Sequence, residues 1–313
     1  MKGYTIDDNQ LYQETTDYHR AEWLHFESPS EEEINYLTHE LGIPVDFVTD
    51  AFDYYEVPRQ ETVVTKTGEK VSLLLVLYPH TKYRFDAYRE YETLPLSIIF
   101  VGKKMITVCS SNVPFLEKVI SNDSTKQGTN HIFLDLLWEL TNAYLDKIAD
   151  IDRTIDDMER NIINTTKNEA FYKLIAIHKN LVYFETGIFE NHKLFKRMHE
   201  KDIFAEDERG REFLHDIRVI SNQASIMVKE STEMIDHLSE VFSSVISNNL
   251  NNIMKFLTSF SIVLTIPTII GSFWGMNVDL PIDKSPWAFL IMLGISALIS
   301  IIVFLWLKRK DYM

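Results

Sequence analysis

Cysteine is almost absent from this chain. Among 313 residues there is one, Cys109, so no intramolecular disulfide can form and no cysteine-based zinc site can be built. A reducing compartment is implied. A basic excess is absent too: 31 Lys and Arg stand against 46 Asp and Glu, a formal net charge of -15, and nucleic-acid binders need basic patches. The acidic balance suits plain solubility and attraction of cations equally well. The start, Met1-Lys2-Gly3-Tyr4-Thr5-Ile6-Asp7-Asp8, has no apolar run like that of a signal peptide, so the N-terminal part is expected to stay where it is made. No Gly-rich phosphate loop is present. The ten His residues include no His-x-x-x-His pair, and no nucleophile motif stands out, which argues against an enzyme.

Residues 1 to about 125 mix strand and helix signals. Ala21 to Phe26 is a strand candidate, and Ser30-Glu31-Glu32-Glu33 is a capping box that starts a helix ending at Gly42. Pro44 opens another short helix. Thr62 to Thr65 and Lys70 to Tyr78 flank a Gly-containing turn and read as a hairpin, as do Leu94 to Val101 and Met105 to Cys109. The expectation is a small α/β domain over 1–130.

From His131 the pattern changes, and Gly and Pro nearly vanish. Leu134, Leu137, Leu145, Ile148, Ile151, Ile155, Met158 and Ile162 recur at mostly threes and fours, a helix with one apolar face. A second helix covers about Asn168 to His199. After a break around Asp202 to Gly210, a third runs from about Arg211 towards the C-terminal third. It would be roughly 100 Å long if continuous through Trp274. Residues 131–252 therefore read as a stalk of long helices. A rod of this kind either transmits movement or acts as a spacer.

Two late stretches contain no charge at all, Phe256 to Met276 and Trp287 to Leu307. Each is about 20 residues, the length that crosses a bilayer core. They predict a membrane domain over 253–313 with spans at about 253–276 and 287–307. The second ends at Trp306 and meets Lys308, Arg309 and Lys310, while Lys255 precedes the first. Positive charge stays cytoplasmic, so both termini are expected inside and the short loop with Asp279 and Asp283 outside. The expected location is the plasma membrane.

Ser244, Ser247, Asn251, Met254, Thr258, Ser261, Thr265, Thr268, Ser272 and Gly275 are spaced alternately by three and four. One helix face therefore carries them, and only Met254 among them is large and apolar. Such a stripe serves either close helix packing or the wall of a water-filled path. Its continuity, from an Asn cluster to an Asn at the membrane face, favours a pore wall. Two spans cannot enclose a pore, so several copies must surround one axis.

Gly275-Met276-Asn277 at the end of the first of two C-terminal spans, with a basic tail and a large polar N-terminal part, resembles the CorA-type magnesium transporters. The entry to that span, Asn248-Asn249-Leu250-Asn251-Asn252-Ile253-Met254-Lys255-Phe256-Leu257, is similar to the family's Asn-rich pore entrance. The resemblance implies a homopentameric funnel: an α/β cytoplasmic domain, stalk helices and two transmembrane helices per chain. It implies a channel that passes Mg²⁺, with Co²⁺ or Ni²⁺ as lesser cargo, into the cytoplasm under control of cytoplasmic Mg²⁺. Gly275, Met276 and Asn277 would form the selectivity filter. Mg²⁺ gives up water reluctantly, so neutral Asn oxygens contacting the hydrated ion suit rapid entry. Asn251 would form a second polar ring, Thr265 and Thr268 intermediate stations, and Met254 with Leu257 a hydrophobic constriction. Asp50 and Asp216 match the positions where relatives hold a regulatory Mg²⁺ between protomers; a solvated surface carboxylate is the other reading of each. A zinc transporter of the related branch is the alternative, which Met276 disfavours, and a membrane-anchored structural or signalling protein is the third. Partners implied are further copies of the chain, the lipid bilayer and divalent cations.

Overall fold

The computed structural model describes residues 1–6, 12–65, 68–84, 89–121, 129–160, 167–204, 207–276 and 286–310. They form two compact units, Met1–His237 and Leu238–Met313.

In the first unit β1 (Lys2–Ile6), β2 (Tyr12–Thr15), β3 (Trp23–Glu27), β4 (Arg59–Val64), β5 (Lys70–Arg84), β6 (Arg89–Val101) and β7 (Lys104–Cys109) make one sheet in the order β2-β1-β3-β7-β6-β5-β4. β3 and β7 run parallel and the other neighbours antiparallel. Both anticipated hairpins are present. The β1–β2 hairpin was not anticipated, because Lys2–Ile6 is too polar and short to stand out.

Leu73 to Leu77 form an unbroken buried run in β5, the pattern of a strand covered on both faces. One face packs under α1 (Glu31–Asn35) and α2 (Val45–Thr49), where Leu37, Phe47, Val48 and Ala51 meet Leu73, Leu75, Ile99 and Ile106. The Ser30–Glu33 capping box starts α1 as expected, and the helix continues as a π turn over Tyr36–Glu40. Gly42 follows with a φ of 65°, a left-handed stop that glycine permits without strain. The other face takes α4 (Thr129–Arg160) and α5 (Lys167–Glu200), with α3 (Leu116–Ser121) packed beside α4.

Two asparagines tie α5 to the sheet. Asn191 accepts from the Leu77 N–H (3.0 Å) and donates to its carbonyl (2.7 Å); Asn180 does the same for the Tyr91 N–H (2.8 Å) and the Arg89 carbonyl (2.8 Å). The need at Leu77 is visible in the register: its partner across the strands is Pro95, which has no N–H to donate. Tyr144 Oη also donates to that carbonyl, at 3.1 Å. Gly187 lets α5 approach this closely, since a Cβ there would lie 2.6 Å from Tyr144 Oη and 2.9 Å from Thr93 Cγ2.

α6 (Glu208–Trp274) is one helix of 67 residues with Pro267 inside it. It begins a few residues earlier than the sequence pattern indicated. Its last part, with α7 (Ala288–Arg309), makes up the second unit. Both carry an apolar stretch long enough to cross a membrane, and only 6% and 11% of those stretches are buried. A core helix of a water-soluble domain would be covered, so exposure here indicates lipid or other copies of the chain as the missing solvent.

Candidate functional site

All ten residues of the polar stripe, from Ser244 to Gly275, are exposed in the single chain. The covered positions of the same span are Ser259, Val263, Ile266, Ile270 and Trp274. These also recur at threes and fours, but they lie on a different side of the helix. The cleft lined by Ile270, Trp274, Ala288, Met292 and Ser296 shows that this covered side looks to α7. Packing within the chain therefore uses one face of α6 and leaves the polar face open from Ser244 to Ser272, while Gly275 at its end also borders the cleft.

The hydroxyls on the free face have a defined direction. Ser261 donates to the Leu257 carbonyl (2.9 Å), Thr265 to Ser261 (2.8 Å) and Thr268 to Leu264 (3.1 Å). Each proton is committed to its own helix, so what the oxygen offers outward is lone pairs. A row of acceptors matches the outward-pointing hydrogens of a hydrated cation. Back-bonding also lets Ser and Thr reside in lipid, so the hydroxyls alone decide little. Pro267 lines the cleft towards α7, and its missing N–H frees the Val263 carbonyl from the helical ladder on that covered side, away from the polar row.

A family model described as CorA-like Mg2+ transporter protein matches residues 19–309. The chain belongs to that family. It is 22% identical to the cobalt/magnesium transport protein CorA of Methanocaldococcus jannaschii over 99% of this chain and 96% of that one. The solved complete structure of the magnesium transporter from that organism superposes with a TM-score of 0.78 at 21% identity, covering 99% of this chain and 96% of that one. The cytoplasmic domain of ZntB from Vibrio parahaemolyticus gives a TM-score of 0.59 at 12% identity over 80% of this chain and 97% of that one. The CorA-type architecture, with an N-terminal α/β part, a long helix and two C-terminal apolar helices, is thus shared along the whole chain. Its family consists of membrane transporters and not enzymes.

Within this CorA-family chain, Gly275 and Met276 close α6. The Gly275 N–H reaches the Gly271 and Ser272 carbonyls at 3.1 and 3.2 Å, and Met276 N–H reaches Phe273 at 3.3 Å. Gly275 does not take the left-handed conformation that would make it a sharp turn, and a Cβ there would meet only ordinary contacts at 3.6 Å. Asn277, Asp279 and Asp283 lie outside the described residues. Met254 and Leu257 are exposed on α6 one turn apart, with Asn251 a turn before them.

Asp50 begins a 3-10 turn at the end of α2, and its carboxylate is held by Arg59, which also binds Glu56 and has Glu61 Oε2 3.6 Å from its Nε. Burial pushes the Asp50 carboxyl up from its ordinary value, and Arg59 pulls against that without cancelling it. Asp216 is exposed on α6. Among the described residues no group of three or more His, Cys, Asp or Glu is placed to hold a metal ion. Arg59 is the residue that the sequence reading missed, although the alternation Glu56, Arg59, Glu61 is its signal.

Proposed function

We propose that this protein is a Mg²⁺ channel in which several copies of α6 surround an axis and turn the polar stripe towards it. The observation that carries this reading is the exposed stripe on α6, which from Ser244 to Ser272 lies on a face that does not line the cleft to α7. One such helix cannot enclose water, so the chain acts as a homo-oligomer, and the family resemblance makes it a pentamer. α7, apolar all round, suits the outer ring. Lys255 and the Lys308–Lys310 cluster support a plasma-membrane protein with both termini on the cytoplasmic side. An inside-negative potential of 100 mV then favours entry by roughly 4.6 kcal/mol for a divalent ion.

Asn277 supplies neutral oxygens at the outer mouth, with Gly275 and Met276 behind it. Along the stripe the acceptors of Thr268, Thr265, Ser261 and Asn251 offer successive hydrogen-bonding stations to an ion that keeps its water. Met254 and Leu257 supply the apolar ring that closes by dewetting. The name of the relative from M. jannaschii makes Mg²⁺ and Co²⁺ the first ions to test. Control by cytoplasmic Mg²⁺ through Asp50 and Asp216 extends this reading under one condition: the ion has to displace Arg59 from Asp50.

Uptake of Mg²⁺, Co²⁺, Ni²⁺ and Zn²⁺ into liposomes holding the purified protein tests the proposal. Mg²⁺ flux in the wild type that collapses in Asn277→Ala is the expected result. Zn²⁺ flux without Mg²⁺ flux would move the protein to a zinc transporter, and no flux of any ion would leave a structural membrane protein.

A further inference from the structure

A second feature of the first unit has no part in the pore. His192 and Lys196 lie one turn apart on α5, and Arg218 and Asn222 one turn apart on α6; with Val219 they line a groove of about 300 Å³ between the two helices. The chain as a whole is strongly acidic, yet neither Lys196 nor Arg218 forms an ion pair among the described residues. The Nε of Arg218 is buried and makes no hydrogen bond. Its Nη2 approaches only His215 Nδ1, at 3.3 Å.

The histidine of the groove is held by Ser221. Ser221 gives its hydroxyl proton to the Arg218 carbonyl (3.0 Å), so its oxygen accepts from His192 Nδ1 at 2.8 Å. In the neutral ring Nε2 then carries a lone pair, so the donors for an anion in this groove are Lys196, Arg218 and Asn222. Burial lowers the proton affinity of His192, and the charges that add to this are Lys196 and Arg218, both positive. Lys196 and Arg218 bring positive charge from two helices, and none of the described residues lining the groove is acidic.

We propose that this groove binds a phosphate group, presented as inorganic phosphate or as the polyphosphate of a nucleotide, bridging Lys196 on α5 and Arg218 on α6. A tetrahedral anion with several oxygens suits the combination better than a halide does. The guanidinium offers the planar fork of its terminal nitrogens, the ammonium a mobile point charge, and Asn222 a neutral donor. Because Arg218 and Asn222 belong to α6, the bound anion would fasten α5 to the helix that continues into the membrane.

The test uses the full-length protein in detergent, with calorimetric titration of inorganic phosphate and, separately, of a nucleoside triphosphate without divalent ions, at constant ionic strength. Saturable binding of either is expected, weakened roughly tenfold or more in Arg218→Gln and in Lys196→Gln, the loss of about one charge-assisted hydrogen bond. Tighter binding of the triphosphate than of phosphate would identify the nucleotide as source, and the reverse order free phosphate. No heat of binding, or equal binding by wild type and both variants, would overturn the proposal. So would dissociation of the oligomer in Arg218→Gln without any effect of phosphate, since the groove would then hold a carboxylate of a second copy. Unchanged unfolding temperatures of the variants will show that they fold.

Discussion

His25 is buried in the sheet, with Nδ1 2.9 Å from Thr107 Oγ1, which also receives the Trp23 indole N–H at 2.9 Å. Burial first, then Lys2 and the N-terminal ammonium, push its pKa down to about 4 from 6.5. The folded state thus prefers the neutral ring. Its contribution is complete above pH 6.5, falls as the pH drops towards 4 because the unfolded chain takes up the proton first, and totals roughly 3 kcal/mol. Denaturant unfolding across that window should show this slope in the wild type and lose it in His25→Gln. At Asp50 the corresponding prediction concerns ions. Arg59→Gln should lower the internal Mg²⁺ concentration that half-inhibits flux by roughly three- to tenfold, as expected for one charge-assisted pair partly open to solvent. Joint substitution of Asp50 and Asp216 by Ala should leave flux insensitive to internal Mg²⁺. Unaltered inhibition curves in both would remove Asp50 from regulation. The Arg59–Asp50 contact was not legible, because it depends on a turn that brings residues nine apart together.

Helices and spans were the most legible elements, because each rests on a local signal. Period 3.6 gave α4, α5 and α6 to within a few residues, uncharged length gave α7, and Ser30 with Glu33 gave the start of α1. What could not be read were the long-range ties. Asn180 and Asn191 look like ordinary polar positions of α5 until Pro95 is placed opposite Leu77. The single Gly187 in α5 gives no hint that Tyr144 lies against it. Gly187→Ala should cost about 1–3 kcal/mol through overpacking against Tyr144 and Thr93, visible as a lowered unfolding temperature. An unchanged temperature would mean that α5 does not approach the sheet this closely. On the membrane helix, the stripe was legible as spacing alone. Its chemistry, acceptors outward because each proton is bonded inward, required the structure.

For the whole molecule, sequence motif and fold converge on the CorA family along nearly the entire chain, and α6 runs unbroken from Glu208 to Trp274. The central claim is that the exposed face of this helix meets water in the assembled protein. Its sole cysteine favours a direct test: Cys109 is fully buried, and burial pushes its thiol up to about 12, so it stays unreactive. Single cysteines can be placed at Thr258, Ser261, Thr265 and Thr268 on the stripe, and at Ile262, Leu264 and Ile269 off it. The oligomer in liposomes is then treated with a membrane-impermeant thiol reagent while Mg²⁺ flux is recorded. Modification and block at the four stripe positions, with the other three untouched, is the predicted result. Labelling of Ile262, Leu264 and Ile269 in place of the stripe, or no labelling at either set in a conducting protein, would contradict the account.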